Sequence, residues 1–390
     1  MSELVAVRAE SAEKLVREVD RLVGFIDRVP DVSLLDVAYT CSRMKGGSVL
    51  ALIADDIASL RARLVSARDR IATAKRVRDK SGTYYFRDHL IGEGKGKLAF
   101  VYPGVMSFYP DMMRDLAIEY AICRNAFDEL EEALAGDSEF TPSSFIFPPA
   151  AYYRHDADIF RSGAYAQALV STYAGCMALT RLLSRAGLEP DGVVGFAGGD
   201  LAAMMRSGAI GAEPSRPERV RLISDIYGIV HKAVNHGGFP AVAMYTVILR
   251  RRDEAADLVA EFPKDKVMLA VAFSPRQITY AVSKDYEERF VAAFAAAGVR
   301  TMKLALDRPF NTPLCESLVP AIRRFTDGWM KHDPVCDVYS CATADLVPSS
   351  WLRSARKETA ERWAKPVRFE ETVRKMHADG YRVFVEVGPR

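Results

Sequence analysis

The segment from Val193 to Asp200 has the sequence Val-Val-Gly-Phe-Ala-Gly-Gly-Asp, the pattern of a sharp turn between a strand and a helix. Small residues on both sides permit a strained turn and let the backbone approach a substrate. Many hydrolases and transferases place a nucleophilic serine at the centre of such a turn. Here that position holds Ala197, whose methyl group cannot attack a thioester. The pattern therefore predicts the backbone of a nucleophile turn without the nucleophile.

The elements that would position this turn alternate between strands and helices. Apolar segments at 97–102, 191–196 and 382–387 are typical of strands, and helical apolar spacing occurs between them. This order favours an α/β-hydrolase-like, doubly wound parallel-sheet core made of residues 98–238 and 307–390. Residues 239–306 run strand, helix, strand, strand, helix, strand. That order predicts a ferredoxin-like subdomain inserted into the α/β core.

Residues 1–97 predict a separate N-terminal α/β unit. It begins with a strand at Leu4–Arg8 and a helix that Ser11 would cap, and it continues with a strand at Ser48–Ala54. A long basic helix is expected from Asp56 to about Lys80. Nucleic-acid binding would be one use of its arginines, but a solvated or domain-facing surface is favoured, because the net charge of the whole chain is only +2.

The composition excludes several other classes of protein. Hydrophobic residues make up 49% of the 390 residues, enough to build a folded core. The six cysteines form no CxxC pair and the six histidines form no HExxH motif, so we expect reduced thiols, no metal site and no cofactor. The N-terminus lacks the apolar core of a signal peptide, and no segment is apolar enough to cross a membrane. A cytoplasmic location follows as the expectation.

Five ordered segments together make the chain resemble the malonyl-CoA:acyl-carrier-protein transacylase family, in the version found in type I polyketide and polyunsaturated-fatty-acid-type synthases. The segments are similar to the family's opening FPGQGSQ turn, its GHSxGE elbow, its HAFHSPLM segment, its LxxPVRF segment and its closing EVGP strand. In this chain they are Ala99–Gly104, Gly195–Asp200, Leu304–Glu316, Trp363–Phe369 and Val385–Pro389. Residues 32–39 are also similar to the family's linker between ketosynthase and acyltransferase.

The resemblance implies that the catalytic pair of the family is missing here. Ala197 stands where the family has its nucleophilic serine, and Phe196 stands where a histidine precedes that serine. The general-base histidine falls on Asn311, and an amide cannot accept and return a proton near neutral pH. Gly195 and Gly199, the elbow glycines, are retained. An engineered Ala197 alone could be a trapping substitution, but the accompanying changes indicate natural loss of the active site.

The resemblance also assigns the binding positions around the elbow. Val105 takes the place of the glutamine beside the oxyanion site, while the backbone amide of Gly198 would remain available there. Ile226 falls where the family has the arginine that pairs with the malonyl carboxylate. Arg219 and Arg221 lie one to two helical turns away and could be mistaken for it.

These substitutions predict a catalytically inactive acyltransferase-fold module of a polyketide or fatty-acid-type synthase. Its role would be structural or to dock an acyl carrier protein, with a neighbouring ketosynthase as a second partner, acyl-CoA as a possible ligand, and no nucleic acid or membrane. The alternative is an active acyl or malonyl transferase with an unrecognised nucleophile, or a hydrolase-like editing module. Candidate nucleophiles are Ser107, Cys176, Thr312 and Cys315, and His236 is a candidate displaced base or hinge residue. The ending Gly388-Pro389-Arg390 indicates a domain excised from a longer chain.

Overall fold

The computed structural model describes residues 2–92, 94–137, 140–149, 164–210, 214–236, 239–251, 254–330, 332–348 and 351–389. The chain divides into two compact units, residues 1–95 and residues 96–390. In the described part of the chain, no helix is both long and apolar enough to cross a membrane.

The first unit combines an antiparallel sheet of strand order β1-β2-β4-β3 with three helices. Alternate residues of β1 and one face of each long helix supply a single apolar core, as expected for a half-buried sheet. Ser11 caps the first helix as predicted, because its side chain accepts a hydrogen bond from the Lys14 amide at 3.3 Å. The elements are β1 Glu3–Ala9, α1 Ala12–Arg28, α2 Leu34–Ser42, β2 Ser48–Ala54, α3 Ile57–Ile71, β3 Arg76–Arg78 and β4 Thr83–Phe86.

The expected helix from Asp56 to Lys80 is wrong in its second half. The helix ends at Ile71, and Arg76–Arg78 instead pairs with Thr83–Phe86 in an antiparallel hairpin. The turn is built by Asp79, whose carboxylate accepts hydrogen bonds from the backbone amides of Ser81 and Thr83, both at 3.1 Å. Helical spacing of charged residues concealed this turn signal.

Three arginines of the first unit have acidic partners within the same unit. Arg61 pairs with Asp27 at 2.5 Å, Arg68 pairs with Asp20 at 3.3 Å, and Arg70 pairs with Asp79 at 2.9 Å. These pairs neutralise much of the charge that a nucleic-acid surface would need.

The second unit starts with the strands that carry the elbow. Strand β5 lies parallel to β6, and Tyr102 at the end of β5 is level with Gly195 at the end of β6. The carboxyl ends of parallel strands meet at one sheet edge, where α/β proteins place their sites. The elements are β5 Lys97–Tyr102, α4 Arg114–Glu119, α5 Ala121–Ala133, α6 Pro142–Ile146, α7 Tyr165–Arg185, β6 Gly192–Gly195, α8 Asp200–Arg206 and α9 Arg216–His236.

A four-stranded antiparallel sheet of order β10-β7-β9-β8 follows, with two helices. The element order is the predicted ferredoxin-like one, and a core around Phe290 and Phe294 joins the helices to the sheet. Its edge strand reaches the α/β core, since the amide of Ala272 donates to the carbonyl of Val367 at 2.8 Å. The elements are β7 Val242–Ile248, α10 Glu254–Ala260, β8 Val267–Ser274, β9 Gln277–Ser283, α11 Glu287–Ala296 and β10 Arg300–Lys303.

The chain then returns to the first sheet of this unit and completes it. The strand order is β12-β11-β6-β5-β13, in which β11, β6, β5 and β13 are parallel and β12 is an antiparallel edge. The predicted α/β fold, with a parallel core and a smaller added sheet, is confirmed. The elements are α12 Val319–Trp329, β11 Asp337–Ser340, β12 Asp345–Leu346, α13 Trp351–Glu361, α14 Phe369–Ala378 and β13 Tyr381–Glu386.

Candidate functional site

Ala197 lies on a left-handed turn between β6 and α8. Its φ angle is +48°, which is uncommon for a residue with a side chain. A short 3₁₀ helix, Ala197–Gly199, leads from this turn directly into α8. Backbone strain of this kind costs about 1–3 kcal/mol and concentrates at functional sites. The chain therefore keeps the strained backbone of an elbow although its central residue is alanine.

The glycines on either side of Ala197 are required by close packing of the backbone. A Cβ atom on Gly195 would lie 2.3 Å from the amide nitrogen of Asp200. A Cβ atom on Gly199 would lie 2.3 Å from the carbonyl oxygen of Tyr102 at the end of β5. The Phe196 amide donates to that same carbonyl at 2.8 Å. These contacts fix the elbow against the sheet edge.

A small cavity of about 40 Å³ opens beside the elbow. It is far smaller than the roughly 300–1,000 Å³ of typical small-molecule sites and has room for about one water molecule. Its walls are mostly apolar, with one carboxylate and one guanidinium. The lining residues are Leu169, Tyr173, Ala197, Gly198, Asp200, Leu201, Met204, Ile210, Ile226, Ile322, Phe325, Thr326, Met330, Thr359, Arg362 and Trp363.

Asp200 and Arg362 form a buried ion pair in this cavity. The Arg362 Nη1 atom lies 2.7 Å from Asp200 Oδ2, and both side chains are almost fully buried. Burial raises the pKa of Asp200 to about 7, although the Arg362 guanidinium opposes the increase. The other carboxylate oxygen, Oδ1, has no hydrogen-bond partner among the described residues. The pair is thus the main charged feature beside the elbow.

Asn311, predicted from the sequence to replace the base, donates hydrogen bonds to two backbone carbonyls. Its φ angle is +62°, and its amide nitrogen donates to the Trp363 carbonyl at 3.0 Å. Its side-chain Nδ2 atom donates to the Arg362 carbonyl at 3.2 Å. The side chain is therefore engaged as a hydrogen-bond donor and is not among the cavity-lining residues.

Phe196 packs against aromatic rings and is not among the residues that line the cavity. Its ring makes edge contacts with Phe273 and Phe369, each at 5.4 Å between ring centroids, and those two rings stack at 5.5 Å. Phe273 belongs to the ferredoxin-like sheet and Phe369 begins α14. Phe196 therefore contributes to packing between the core and the inserted sheet.

The structure places the backbone of Val105 close to Gly198 of the elbow. Val105 is buried at the start of a 3₁₀ helix, Val105–Ser107, after β5. Its backbone nitrogen lies 3.9 Å from the position that a Cβ atom on Gly198 would take. Its side chain does not line the cavity. Two backbone amides are thus near the elbow, as an oxyanion site would need, with no polar side chain supplied by position 105.

Comparison with known proteins identifies the family. The acyl transferase domain family matches residues 99–390. The chain belongs to this family. It is 26% identical to a malonyl CoA-acyl carrier protein transacylase of Bacillus subtilis over 294 residues, which is 75% of this chain and 87% of that protein.

A longer relative and a solved domain extend the comparison. The chain is 24% identical over 384 residues to a phenolphthiocerol-synthesis type I polyketide synthase of Mycobacterium marinum, and the match covers 98% of this chain but only 17% of that synthase. The crystal structure of the acyltransferase domain from module 8 of the salinomycin polyketide synthase has a similar fold. Its TM-score is 0.73 at 20% identity, with 99% of this chain and 85% of that chain covered.

Of the residues considered for the acyltransferase carboxylate anchor, only Ile226 lines the cavity. Arg219 is instead bound to the buried Glu129, with its Nη2 atom 2.5 Å from Oε1. Arg181 holds the same carboxylate at 2.6 Å. Arg221 is largely exposed and lies over the Trp329 ring at 5.7 Å. Neither arginine that could be mistaken for the anchor reaches the elbow cavity.

The alternative nucleophiles are not placed beside the elbow cavity of this acyltransferase fold. Thr312 is buried and donates its hydroxyl to the Pro309 carbonyl at 2.6 Å, and the Cys315 thiol donates to the same carbonyl at 3.2 Å. Burial raises the pKa of Cys315 to about 12 and also raises that of Cys176, so both thiols stay protonated. Ser107 is half-buried in the 3₁₀ helix after β5.

The proposed hinge at His236 ends helix α9, and residues 237 and 238 lie outside the described residues. Within the ranges that the structure describes, no group of three or more histidine, cysteine, aspartate or glutamate side chains could hold a metal ion.

Sequence analysis missed the Asp200–Arg362 pair. Asp200 was noticed only as the last residue of the elbow motif, and Arg362 immediately precedes a recognised segment. The two residues are far apart in the chain, and no local spacing links them. The only sequence signal for a buried arginine was the position of Arg362 directly before the apolar Trp363-Ala364 pair.

Proposed function

We propose that this chain is a catalytically inactive acyltransferase-fold module of a polyketide or fatty-acid-type synthase. Its role is to dock an acyl carrier protein or to hold neighbouring domains in place. The observation that carries the proposal is Ala197 at the strained centre of the elbow: the backbone of a nucleophile turn is kept, and its hydroxyl is absent.

The surroundings of Ala197 support inactivity in two further ways. Asn311 uses its side chain as a donor to a backbone carbonyl, and an amide cannot act as a general base near neutral pH. Among the described residues, no histidine lines the elbow cavity, and the two charged residues that do, Asp200 and Arg362, are paired with one another. A cavity of about 40 Å³ also leaves little space for an acyl group.

The partners follow from the family rather than from the site. The Bacillus relative is named for transfer between malonyl-CoA and an acyl carrier protein, and the mycobacterial relative is a much longer synthase. We therefore propose an acyl carrier protein and a ketosynthase domain as partners, with residues 1–97 as the linker between ketosynthase and acyltransferase. Docking needs a complementary surface and no nucleophile, so loss of the catalytic pair is compatible with it. A cytoplasmic location stays a prediction.

Intact-mass measurement after incubation with malonyl-CoA or acetyl-CoA tests the proposal. We expect no added acyl mass, while an active transacylase of the same family, treated identically, gains one acyl group. A stoichiometric, hydroxylamine-labile adduct on the wild-type chain would reject the proposal, and peptide mapping of that adduct would locate the true nucleophile. Binding of a phosphopantetheinylated carrier protein, measured by calorimetry, tests the docking role separately.

A further inference from the structure

Arg362 is unusually placed for an arginine. Arg362 is only 8% exposed, and arginines are rarely buried to this extent unless they are paired with an acidic group. It begins a short 3₁₀ helix, Arg362–Ala364, and its side chain reaches across the elbow cavity to Asp200 at the start of α8. The cavity is lined by Ala197, Gly198 and Ile226, which stand at the family's nucleophile, oxyanion and carboxylate-anchor positions. Arg362 therefore borders the same cavity as the residues at these three positions.

Three residues hold Arg362 in this place. Asp200 binds its guanidinium at 2.7 Å, and Asn311 donates to its carbonyl oxygen at 3.2 Å. The Lys365 amide donates to the same carbonyl at 3.1 Å. Side chain and backbone of Arg362 are thus both restrained, and one restraint comes from the residue at the base position.

Stability alone is a poor explanation for this pair. Replacing a buried ion pair with packed apolar side chains is often neutral or stabilising, because both charges must lose their hydration. The pair is also incompletely satisfied: Asp200 Oδ1 has no partner among the described residues. The hydroxyl of Tyr173, which lines the same cavity, also has none within the part of the chain that the structure describes.

We infer that Arg362, held by Asp200, occupies the acyl-binding space beside the elbow and excludes acyl groups from it. The inference rests on the proposed function and deepens it, since the site is then closed to substrate as well as lacking a nucleophile. Arg362 is in this sense a specificity-determining residue that rejects malonyl and neutral acyl chains by volume. Removing its guanidinium should leave a space that accepts either a guanidinium ion or a short acyl chain.

Chemical rescue tests where the guanidinium sits. At a pH high enough to ionise Asp200 in the Arg362→Ala variant, methylguanidinium should bind and raise the melting temperature by at least about 4 °C at saturation, relative to equal concentrations of methylammonium. A variant that folds only when methylguanidinium is added supports the inference equally. The Asp200→Asn, Arg362→Ala variant is the matched control and should not respond. Equal responses of both variants, or none in either, would overturn the inference.

Acyl binding tests whether the space is the acyl site. Asp200→Asn, Arg362→Ala should bind butyryl-CoA at least about tenfold more tightly than Asp200→Asn, Arg362→Met, in which the longer side chain still fills the space. Asp200→Asn, Arg362→Leu is a second opening variant, because an apolar pair at this site should fold. Equal affinity in the opened and filled variants would contradict the inference. Failure of the proposed function would give a different result from failure of this inference, because it would appear as an acyl adduct on the wild-type chain.

Discussion

The side-chain amide of Asn311 donates a hydrogen bond to the main-chain carbonyl of Arg362 at 3.2 Å. Asn311, the predicted replacement of the base, is thus bonded to the backbone of Arg362, whose side chain lines the elbow cavity. A histidine at position 311 could donate its Nδ1 proton to the same carbonyl, which would leave Nε2 free to accept a proton. The backbone around position 311 is therefore compatible with a histidine base at this position.

Restoring the catalytic pair should require both changes together. Ala197→Ser alone should gain little activity, because Asn311 cannot deprotonate the new hydroxyl, and general-base help is typically worth about 10² to 10⁴ in rate. Ala197→Ser with Asn311→His should exceed the product of the two single effects, since nucleophile and base act as a unit. The measurement is the rate of acylation by acetyl-CoA, followed by intact mass.

The acylation rate of the Ala197→Ser, Asn311→His variant should be measured both with Arg362 present and with the cavity opened by substitution of Arg362. If Arg362 excludes acyl groups, the repaired pair should acylate faster when combined with Asp200→Asn and Arg362→Ala. The control is the opened background without the repair, which should stay inactive. In either background, if the acylation rate of the Ala197→Ser, Asn311→His variant equalled the product of the two single effects, one of the two positions would be assigned wrongly.

The elbow glycines should be intolerant of any side chain. Gly195→Ala and Gly199→Ala each place a Cβ atom 2.3 Å from a backbone atom, so each should lower the free energy of unfolding by about 3 kcal/mol or more. Gly228→Ala is the matched control, because Gly228 is exposed on helix α9 and its Cβ would meet no atom within 4 Å. It should raise stability by up to about 1 kcal/mol. Urea unfolding of the three variants would contradict the packing argument if all three changed alike.

The elbow and the order of strands and helices along the chain could be predicted from the sequence because they depend on local patterns. Glycines around Ala197, apolar runs and the βαββαβ order each report on neighbouring residues. The Asp200–Arg362 pair, the Glu129–Arg219 pair and the orientation of Phe196 depend on which distant segments meet. Nothing in the spacing of those residues fixes that. The hairpin at Asp79 was missed for a different reason, since its turn residues continue a charged helical pattern.

Asp200 should make stability depend on pH around neutrality. Burial raises its pKa from 3.8 to about 7, so between these values the folded chain binds a proton that the unfolded chain does not. Its contribution to the free energy of unfolding is therefore largest below about pH 4 and is lost as the pH rises to about 7, by up to about 4 kcal/mol.

The comparison is with Asp200→Asn, which leaves the cavity volume nearly unchanged and removes the titrating group. Because Arg362 then lacks its partner, the free energies of unfolding of the two proteins should differ by a constant amount at every pH. They should also differ in how steeply they change with pH, and only this slope reports on the titration of Asp200. Urea unfolding at several pH values between 4 and 8 measures it. Parallel curves for wild type and variant would show that Asp200 stays ionised throughout this range.

Phe196 should stabilise the junction between the core and the ferredoxin-like sheet. Phe196→Ala removes edge contacts with Phe273 and Phe369 and should lower the free energy of unfolding by about 1–3 kcal/mol, less than for a fully buried ring. Hydrogen exchange at the Ala272 and Val367 amides, which bond the two parts, should become faster. Phe86→Ala in the other unit serves as the control and should leave the exchange of these two amides unchanged. Unchanged exchange in Phe196→Ala would refute a junction role.

Arg219 should prove to be a structural residue and not a ligand anchor. It shares the buried carboxylate of Glu129 with Arg181, and although burial opposes ionisation, the hydrogen bonds from the two arginines hold the pKa of Glu129 below its usual value. Arg219→Ala leaves that carboxylate half paired and should lower the free energy of unfolding by about 2–4 kcal/mol. Arg221→Ala, at a side chain that is 78% exposed, should change the free energy of unfolding by no more than about 0.5 kcal/mol.

Calorimetric titration with malonyl-CoA decides between a structural role and a ligand-anchoring role for Arg219. If the role is structural, neither variant should bind malonyl-CoA more weakly than the wild-type chain does. A selective loss of malonyl-CoA binding in Arg219→Ala, at a temperature where the variant is folded, would place this arginine in the ligand site after all.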